Sequence, residues 1–346
     1  MSITTYEQHC TASPIQLDCE KKLTKLKHSG IGDEHWNRLQ REEKFAYLHE
    51  AVGNTPLEEV ILPNGAVIRV KQELDNPSGS HYDRAYLETI EKFEKDGFLL
   101  PGDELRDITS GSAGISLALI GSLLGYKVRI TVPSELPESR LFPIRYFGAE
   151  VVSSGLGYVP GSSAQQVREI VDLRENQAWQ ESRPADRSGR SFLFQKGNDR
   201  ICYLNHSEND LSPQAFESIA KEILVQAPDA SHIALAEGNW TTINGIARYL
   251  KAHAPHVKII GYSGELTNGS TENFGTNVPD VPIRFRDLSL LDQDVVVTNQ
   301  QRDTMGSYAP HLGRSSLMGL FVAQSITSLE SAAKVITIGY DEIVRY

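Results

Sequence analysis

The chain has 346 residues, 40% of them hydrophobic, which is enough for a large core in about two domains or one large α/β unit. A formal net charge of −11 repels nucleic-acid phosphates and anionic membranes, so we expect neither as a partner. The three widely spaced cysteines give no disulfide framework and no metal-binding pair. With no apolar signal region and no run of ~20 apolar residues, the sequence predicts a soluble, cytoplasmic protein without a metal site.

In chain order, residues 1–50 are polar with large apolar residues at helical spacing, which predicts a helical N-terminal extension. A β-rich apolar run follows at 64–74. Residues 86–97 predict an amphipathic helix that ends at Gly97, and residues 115–126 predict a strongly apolar helix. Alternating strand-like and helix-like segments then predict an α/β fold with mostly parallel sheets flanked by helices.

The second half of the chain continues this alternation. Residues 174–191 are polar and predict a loop or a domain boundary, and residues 264–289 predict another loop. Residues 210–227 predict a helix with Ser212 as its cap and Pro213 in its first turn. The remaining predicted elements are strands at 232–238, 257–264, 294–301 and 334–340 and a helix at 241–254.

Six short segments, in the same order, resemble motifs of the cysteine synthase and threonine synthase group, the fold-type-II enzymes that depend on pyridoxal phosphate (PLP). They run from about residue 51 to the C-terminus, so only the first fifty residues fall outside the resemblance. The segments are VGNTPL (52–57), NPSGSHYDR (76–84), TSGSAG (109–114), FGAEVV (147–152), GNWTTINGIARYL (238–250) and GRSSLMG (313–319).

The resemblance implies the two-domain architecture of these enzymes, which is similar to that of the tryptophan synthase β subunit. We expect residues 1–50 to be a helical extension and residues 76–191 to form the smaller α/β domain. Residues 51–75 together with 192–346 are expected to form the larger one. The family usually forms homodimers, so the resemblance also implies a homodimer.

Tyr82 stands where the N-P-x-G-S-x-K-D-R motif of this family has its lysine. In such enzymes the lysine amine condenses with the cofactor aldehyde and moves the α-proton of the substrate. A phenol cannot form an imine, and its ordinary pKa near ~10 makes it a poor base unless its surroundings change it. The resemblance therefore implies that no PLP is bound covalently at this position. His81 is the neighbouring protic residue, so we name Tyr82 and His81 as candidate catalytic residues.

The other family positions divide into a substrate set and a cofactor set. Thr109, Ser110, Gly111 and Ser112 begin a helix whose N-terminal amides favour a carboxylate, and Ser112 replaces an Asn of the family. Gln195 resembles a glutamine that faces the substrate. The candidate cofactor positions form a degenerate phosphate loop, in which Trp240 replaces a glycine, together with one earlier residue: Asn54, Gly238, Asn239, Trp240, Thr241 and Thr242.

Three interpretations remain open. The favoured one is an enzyme that acts on an amino acid or related carboxylate by lysine-independent elimination, replacement or rearrangement, with PLP held noncovalently or not used. The second is a non-catalytic homologue that serves as a binding or regulatory module. The third is an ordinary PLP enzyme with a displaced lysine, for which Lys71 and Lys196 are the candidates. The acidic residues 341–342 are expected to form a solvated tail.

Overall fold

The structure is a computed structural model. Within the residues it describes, two six-stranded sheets flanked by helices form an α/β fold, which confirms the predicted fold class. No helix in this part of the chain is long and apolar enough to cross a membrane. The described residues are 13–62, 64–109, 111–134, 136–154, 163–184, 190–265 and 283–345.

The first sheet combines two strands from residues 57–71 with four strands from residues 232–338. Its first strand pairs antiparallel with its neighbour, and the remaining strands are parallel. Apolar residues fill its central strands, which is typical of parallel strands covered on both faces. In spatial order the strands are β1 (Leu57–Ile61), β2 (Val67–Lys71), β12 (Val335–Ile338), β9 (His232–Ala236), β10 (Lys258–Gly264) and β11 (Gln293–Val297).

The second sheet has four parallel strands and an antiparallel hairpin at one edge. The sheet continues past residue 191, where the sequence analysis ended the smaller domain, because β7 and β8 pair with each other and β8 pairs with β3. In spatial order the strands are β5 (Glu150–Ser153), β4 (Lys127–Val132), β3 (Glu104–Ile108), β8 (Asp199–Tyr203), β7 (Phe192–Lys196) and β6 (Gln180–Ser182). The domain bounds themselves stay a prediction.

Ten helices are described, and they cover the two sheets. Helix α3 packs on both α4 and α7, so it links the helices of the two halves, and α7 packs along α8. The helices are α1 (Pro14–His28), α2 (Arg41–Ala51), α3 (Tyr82–Lys95), α4 (Ser112–Leu123), α5 (Glu138–Tyr146), α6 (Ser163–Glu175), α7 (Leu211–Gln226), α8 (Thr241–His253), α9 (Asn299–Asp303) and α10 (Arg314–Leu329).

Two local predictions are corrected. Helix α7 begins at Leu211 with Asp210 as its N-cap, so Ser212 lies inside the first turn and is not the cap. The Leu211 N–H donates to Asn209 Oδ1 at 2.9 Å, so the side chain that satisfies this helix end is that of Asn209. The polar stretch 174–191 is not entirely a loop, because β7 supplies hydrogen-bond partners that hold β6 as an edge strand. Most of the predicted loop at 264–289 lies outside the described residues.

The described part of the N-terminal extension contains α1 and α2 and packs on the smaller half of the molecule. Trp36, Phe45 and Leu48 are buried in the same core as α3 and α4. The Trp36 indole Nε1 donates to Leu123 O at 2.8 Å, which ties the extension to the end of α4. The apolar spacing seen in the sequence therefore marks the contact face of this extension.

Two loops lie at the carboxyl ends of parallel strands. One follows β3 and leads into α4, and the other follows β9 and leads into α8. Ligands of open α/β sheets bind outside the carboxyl ends of strands, where helix N-termini meet. The two loops that the sequence analysis selected, at 109–112 and 238–242, are therefore at the strand ends where a ligand site is expected.

Candidate functional site

The loop after β9 is closed by its own side chains. Asn239 Oδ1 accepts from Thr241 N at 3.1 Å and from Thr241 Oγ1 at 2.6 Å. Trp240 is the N-cap of α8 with a φ of 66°, a left-handed conformation that is strained for a large side chain. Its indole is buried in the core around β9 and α8. Trp240 is therefore a core residue that stands in an unusual loop conformation.

His81 and Tyr82 both contact this loop. The His81 Nε2 atom lies 3.1 Å from Thr242 Oγ1, and Asn239 Nδ2 donates to the Tyr82 hydroxyl at 3.2 Å. These two side-chain contacts therefore join the start of α3 to the start of α8. The structure brings together both candidate catalytic residues and the candidate cofactor residues Asn239, Thr241 and Thr242.

Aromatic rings surround His81. Its ring centroid lies 4.2 Å from that of Tyr82, 5.1 Å from that of Phe216 and 5.2 Å from that of Tyr340. Burial lowers the pKa of His81 to about 3, and the nearby cation of Arg84 adds to this effect. His81 is therefore neutral at physiological pH, and it can exchange hydrogen bonds but carries no charge.

A second polar cluster lies against Tyr82, and of its members the sequence analysis weighed only His206, as a residue that lines the cleft or caps a turn. The ring centroid of His206 is 5.2 Å from that of Tyr82. The buried Asp107 Oδ2 accepts from Tyr86 OH at 3.0 Å and from His206 N at 3.1 Å, and it lies 3.2 Å from His206 Nδ1. The sequence analysis weighed no role for Asp107 or Tyr86, because no motif marks them. They meet His206 through the fold alone.

The Asp341 side chain contacts the first residue of α4. Ser112 Oγ donates to Asp341 Oδ2 at 2.9 Å, and Asp341 is only 5% exposed. The expectation of a solvated tail at 341–342 is therefore wrong, because the chain folds back after β12 and crosses the N-terminus of α4. Nearby, the buried Thr109 Oγ1 accepts from Gly111 N at 3.1 Å. Ser110 lies outside the described residues.

Lys71 belongs to a buried ion network. Its Nζ donates to Thr55 O at 2.5 Å, to Glu222 Oε2 at 2.6 Å and to Gln226 Oε1 at 3.0 Å. Burial raises the pKa of Glu222, but hydrogen bonds from Arg84 and Lys71 outweigh burial and lower it to about 2. The Lys71 amine is thus held by three oxygen atoms.

Asn54 and Gln195 lie apart from the Tyr82 cluster. Asn54 is exposed, and its main-chain N–H donates to Glu222 Oε1 at 3.0 Å, in the ion network. Gln195 is exposed near the tip of the β7–β8 hairpin, where it bonds to Gly197 O at 3.2 Å and to Arg200 at 3.1 Å. The next residue, Lys196, is exposed with its Nζ 5.9 Å from the Trp179 ring centroid.

Glu237 is a further residue that the sequence analysis missed. It lies between β9 and Gly238, it is fully buried, and neither carboxyl oxygen has a hydrogen-bond partner among the described residues. Burial, followed by the neighbouring Asp294, raises its pKa to about 8. Gly261 leaves the space that this carboxyl occupies, since a Cβ there would lie 2.5 Å from Glu237 Oε1. Burial and the Asp294 carboxyl therefore both favour the protonated form of Glu237.

The fold is that of the PLP enzymes of fold type II. Residues 48–299 match the family described as pyridoxal-phosphate dependent enzyme, and the chain belongs to this family. This finding confirms the family that the six motifs indicated.

Curated relatives are cysteine synthases. The chain is 29% identical to cysteine synthase B of Escherichia coli over 221 residues, which are 63% of this chain and 65% of the relative. It is 30% identical to cysteine synthase of Staphylococcus aureus over 224 residues, which are 62% of this chain and 64% of the relative. The chain thus spans about two thirds of the length of these relatives.

Solved structures share the architecture. O-ureido-L-serine synthase superposes with a TM-score of 0.72 at 22% identity, over 86% of this chain and 92% of that chain. A hydrogen sulfide-producing enzyme of Fusobacterium nucleatum gives a TM-score of 0.71 at 22% identity, over 86% of this chain and 97% of that chain. At this level of identity the likeness shows the fold alone.

The family implies PLP, and the residues around Tyr82 can be tested against it. The resemblance places the cofactor of this family beside the loop that precedes α8, so a lysine-bound cofactor is expected to have its amine there. Of the two candidate lysines, Lys71 is held by three oxygens in the ion network and Lys196 is exposed on the hairpin. The groups that do meet the loop are a phenol and a neutral imidazole. The residues present therefore do not fit a lysine-bound PLP.

Proposed function

We propose that this chain is a binding member of the PLP-dependent family that works without a lysine–cofactor imine. Its ligand is an amino acid or a related carboxylate. The proposal rests on one observation, namely that α3 contacts the start of α8 through two residue pairs. His81 contacts Thr242, and Tyr82 contacts Asn239. These two side chains meet the loop before α8 at the place where the resemblance puts the lysine of the family. A phenol cannot condense with an aldehyde, so Tyr82 supports an imine-free protein.

The state of His81 favours binding over catalysis. A general base works best when its pKa is near the operating pH, and the pKa of His81 is about 3. His81 is also 6% exposed and enclosed by the rings of Tyr82, Phe216 and Tyr340. We therefore propose that His81 and Tyr82 join α3 to α8 and shape the cleft, and that neither moves a proton.

The ligand class follows from the loop at 109–112. The N-terminus of α4 favours negative charge, and the Ser112 hydroxyl there already donates to one carboxylate, that of Asp341. The solved fold neighbour named O-ureido-L-serine synthase makes L-serine the first ligand to test. The cytoplasmic location and the homodimer also stay predictions.

A second candidate is the lysine-independent enzyme that the sequence analysis favoured. The observation in its support is the contact of Tyr82 with His206, whose ring nitrogen lies 3.2 Å from a buried carboxylate of Asp107. A carboxylate beside an imidazole is a common pairing for proton transfer. Here the His206 main-chain N–H, and not the ring Nδ1, donates to Asp107. Turnover of β-substituted amino acids that is lost in both Tyr82→Phe and His206→Gln would establish this candidate and overturn the binding proposal.

The imine-free proposal is tested by visible absorption with and without PLP, followed by borohydride reduction and peptide mass mapping. We expect no reduced adduct in the natural chain or in Tyr82→Phe, because neither offers a lysine at this position. Tyr82→Lys is the matched variant, and we expect it to give an adduct at position 82. An adduct on Lys71 or Lys196 of the natural chain would overturn the proposal and establish the displaced-lysine alternative.

A further inference from the structure

The turn that precedes Tyr82 is fixed by contacts to every polar group of Ser78. The Ser78 N–H donates to Asp83 Oδ2 at 2.7 Å, and the Ser78 hydroxyl lies 2.8 Å from Ser116 Oγ. The Ser78 carbonyl accepts from Arg345 Nη2 at 2.5 Å, although the two residues are 267 positions apart. The turn from which α3 begins is therefore held in part by the C-terminal segment.

Gly79 allows two long side chains to approach this turn. Its φ is 82°, and a Cβ there would clash with Arg345 Nη2 and would lie 2.7 Å from Lys22 Cε. A left-handed residue without a side chain is thus required at this crossing. Lys22 lies in α1, and its Nζ is 3.1 Å from Glu342 Oε1. Helix α1 and the C-terminal segment therefore meet at the same turn.

Lys22 and Arg345 both lie outside residues 48–299, which are the part of the chain that matches the family. Arg345 ends a short 3-10 helix, Ile343–Arg345, that packs on α1 and α5. The Arg345 carbonyl accepts from Ser139 Oγ of α5 at 3.1 Å, which holds the backbone of this helix. The Arg345 side chain thus points inward from a fixed backbone.

The Arg345 guanidinium is buried with few partners. The residue is 2% exposed, and its Nε and Nη1 atoms have no hydrogen-bond partner among the described residues. Burying a charged group without full pairing is unfavourable, and an apolar side chain would fill the same space without that penalty. The bond to the Ser78 carbonyl is therefore the contact that distinguishes an arginine from an apolar residue here.

We propose that Arg345 is a positioning residue of the candidate site, because its bond to Ser78 fixes the turn that places His81 and Tyr82 opposite α8. The inference rests on the proposed function, since it gives the start of α3 a role in binding. The Tyr82 N–H donates to Ser80 Oγ at 3.3 Å, so the fixed turn continues directly into α3. Arg345 itself touches no ligand.

The test combines amide hydrogen exchange of the ligand-free full chain with titration of the same samples with L-serine. Arg345→Met removes the donor and keeps a long side chain, whereas Arg345→Lys keeps a cationic donor. We expect exchange at 78–84 to become about tenfold faster in Arg345→Met, beyond any change in β9 and β10, because a lost charged hydrogen bond opens the turn locally. Binding of L-serine should weaken about tenfold, and Arg345→Lys should stay within about threefold of the natural chain in both measurements.

Arg200→Met is the matched control. Arg200 Nη2 also donates to a main-chain carbonyl, that of Phe98, at 2.9 Å, but Arg200 lies in β8 and its Nε binds Asp103. We expect this variant to leave L-serine affinity and the relative exchange at 78–84 unchanged. If Arg345→Met does not fold, the same comparison is made with Arg345→Gln, whose shorter side chain withdraws the donor.

The outcomes separate the inference from the function on which it rests. A local gain in exchange at 78–84 with weaker L-serine binding, both recovered in Arg345→Lys, supports the inference. Equal acceleration of all protected amides, or the same pattern in Arg200→Met, overturns it, since Arg345 would then stabilise the whole fold. Local acceleration with unchanged L-serine affinity also overturns it and leaves the proposed function standing. Failure of L-serine to bind the natural chain overturns the proposed function and with it the role of Arg345 in binding.

Discussion

Two residues of the motif at 76–84, three positions apart, differ in how their polar groups are satisfied. At the paired end Arg84 binds Glu73 at 2.7 Å and Glu222 at 2.6 Å, and all three belong to one ion network. At the neutral end the His81 Nε2 atom lies 3.1 Å from Thr242 Oγ1, and the buried His81 Nδ1 atom has no hydrogen-bond partner among the described residues. The paired end is charged, whereas the neutral end holds a neutral imidazole beside a phenol.

Within nine residues of sequence, this difference distinguishes a residue that stabilises the fold from residues that form the candidate site. Buried polar groups in proteins are almost always paired, and a fully connected network rigidifies the fold around it. Unpaired buried groups are costly and concentrate where a protein binds or reacts. We therefore assign the Arg84 end to stability and the His81–Tyr82 end to the site.

The largest expected effect comes from the paired end. Arg84→Met leaves the buried carboxylates Glu73 and Glu222 without their shared cation. Breaking a buried ion pair in this way costs about 3–5 kcal/mol of the free energy of unfolding. Urea denaturation followed by circular dichroism measures the loss. A folded variant that loses less than about 1 kcal/mol would contradict the structural role of this end.

The control for that experiment is an exposed ion pair. Arg145 binds Glu138 at 2.7 Å, and both side chains are at least half exposed. Arg145→Met should cost less than about 1 kcal/mol, because solvent screens exposed pairs. Equal losses in Arg84→Met and Arg145→Met would remove the distinction between buried and exposed pairs on which the comparison depends.

The next effect is a pH dependence of the free energy of unfolding, and it comes from His81 at the neutral end. The pKa of His81 is about 3 in the folded chain against 6.5 ordinarily, so the unfolded chain binds the extra proton between these values. Its contribution to stability is therefore complete above pH 6.5 and is lost as the pH falls towards 3, by at most about 1.4 kcal/mol per pH unit. His81→Gln should flatten the fall in unfolding free energy between pH 6.5 and 4.5.

An exposed histidine provides the reference for this slope. His256 is exposed, so His256→Gln is the control that removes a histidine without touching the buried aromatic cluster around His81. If His81→Gln and the natural chain lose stability with the same slope, His81 is not held neutral and the argument for binding over catalysis fails.

The smallest expected effect concerns Asn54. This residue has a left-handed φ of 48°, and among the described residues its main-chain N–H is the group that bonds to Glu222 of the ion network. Asn54→Gly should change the unfolding free energy by less than about 0.5 kcal/mol, since glycine accepts this conformation and keeps the N–H. Asn54→Ala should cost about 1 kcal/mol, because its Cβ is strained there. If the glycine variant is as destabilised as the alanine variant, the Asn54 side chain has a role that its contacts do not explain.

The sequence by itself determined the fold class and most elements. Helical spacing marked the extension and α3, and strand–helix alternation marked the parallel sheets, because these periodicities are local properties of the chain. The order of six motifs determined the family, and the resemblance directed attention to Tyr82 and to the loops at 109–112 and 238–242.

Only the tertiary structure decided which side chains meet. Tyr82 and Asn239 are 157 positions apart, and Ser112 and Asp341 are 229 positions apart. Lys71 and Glu222 are likewise 151 positions apart. The sequence analysis expected Lys71 near the site, whereas in the fold its Nζ donates to Glu222 in the ion network. Such contacts depend on how strands and helices pack in space, and no local pattern records that, so Asp341 read as a solvated tail until the chain was seen to fold back across α4.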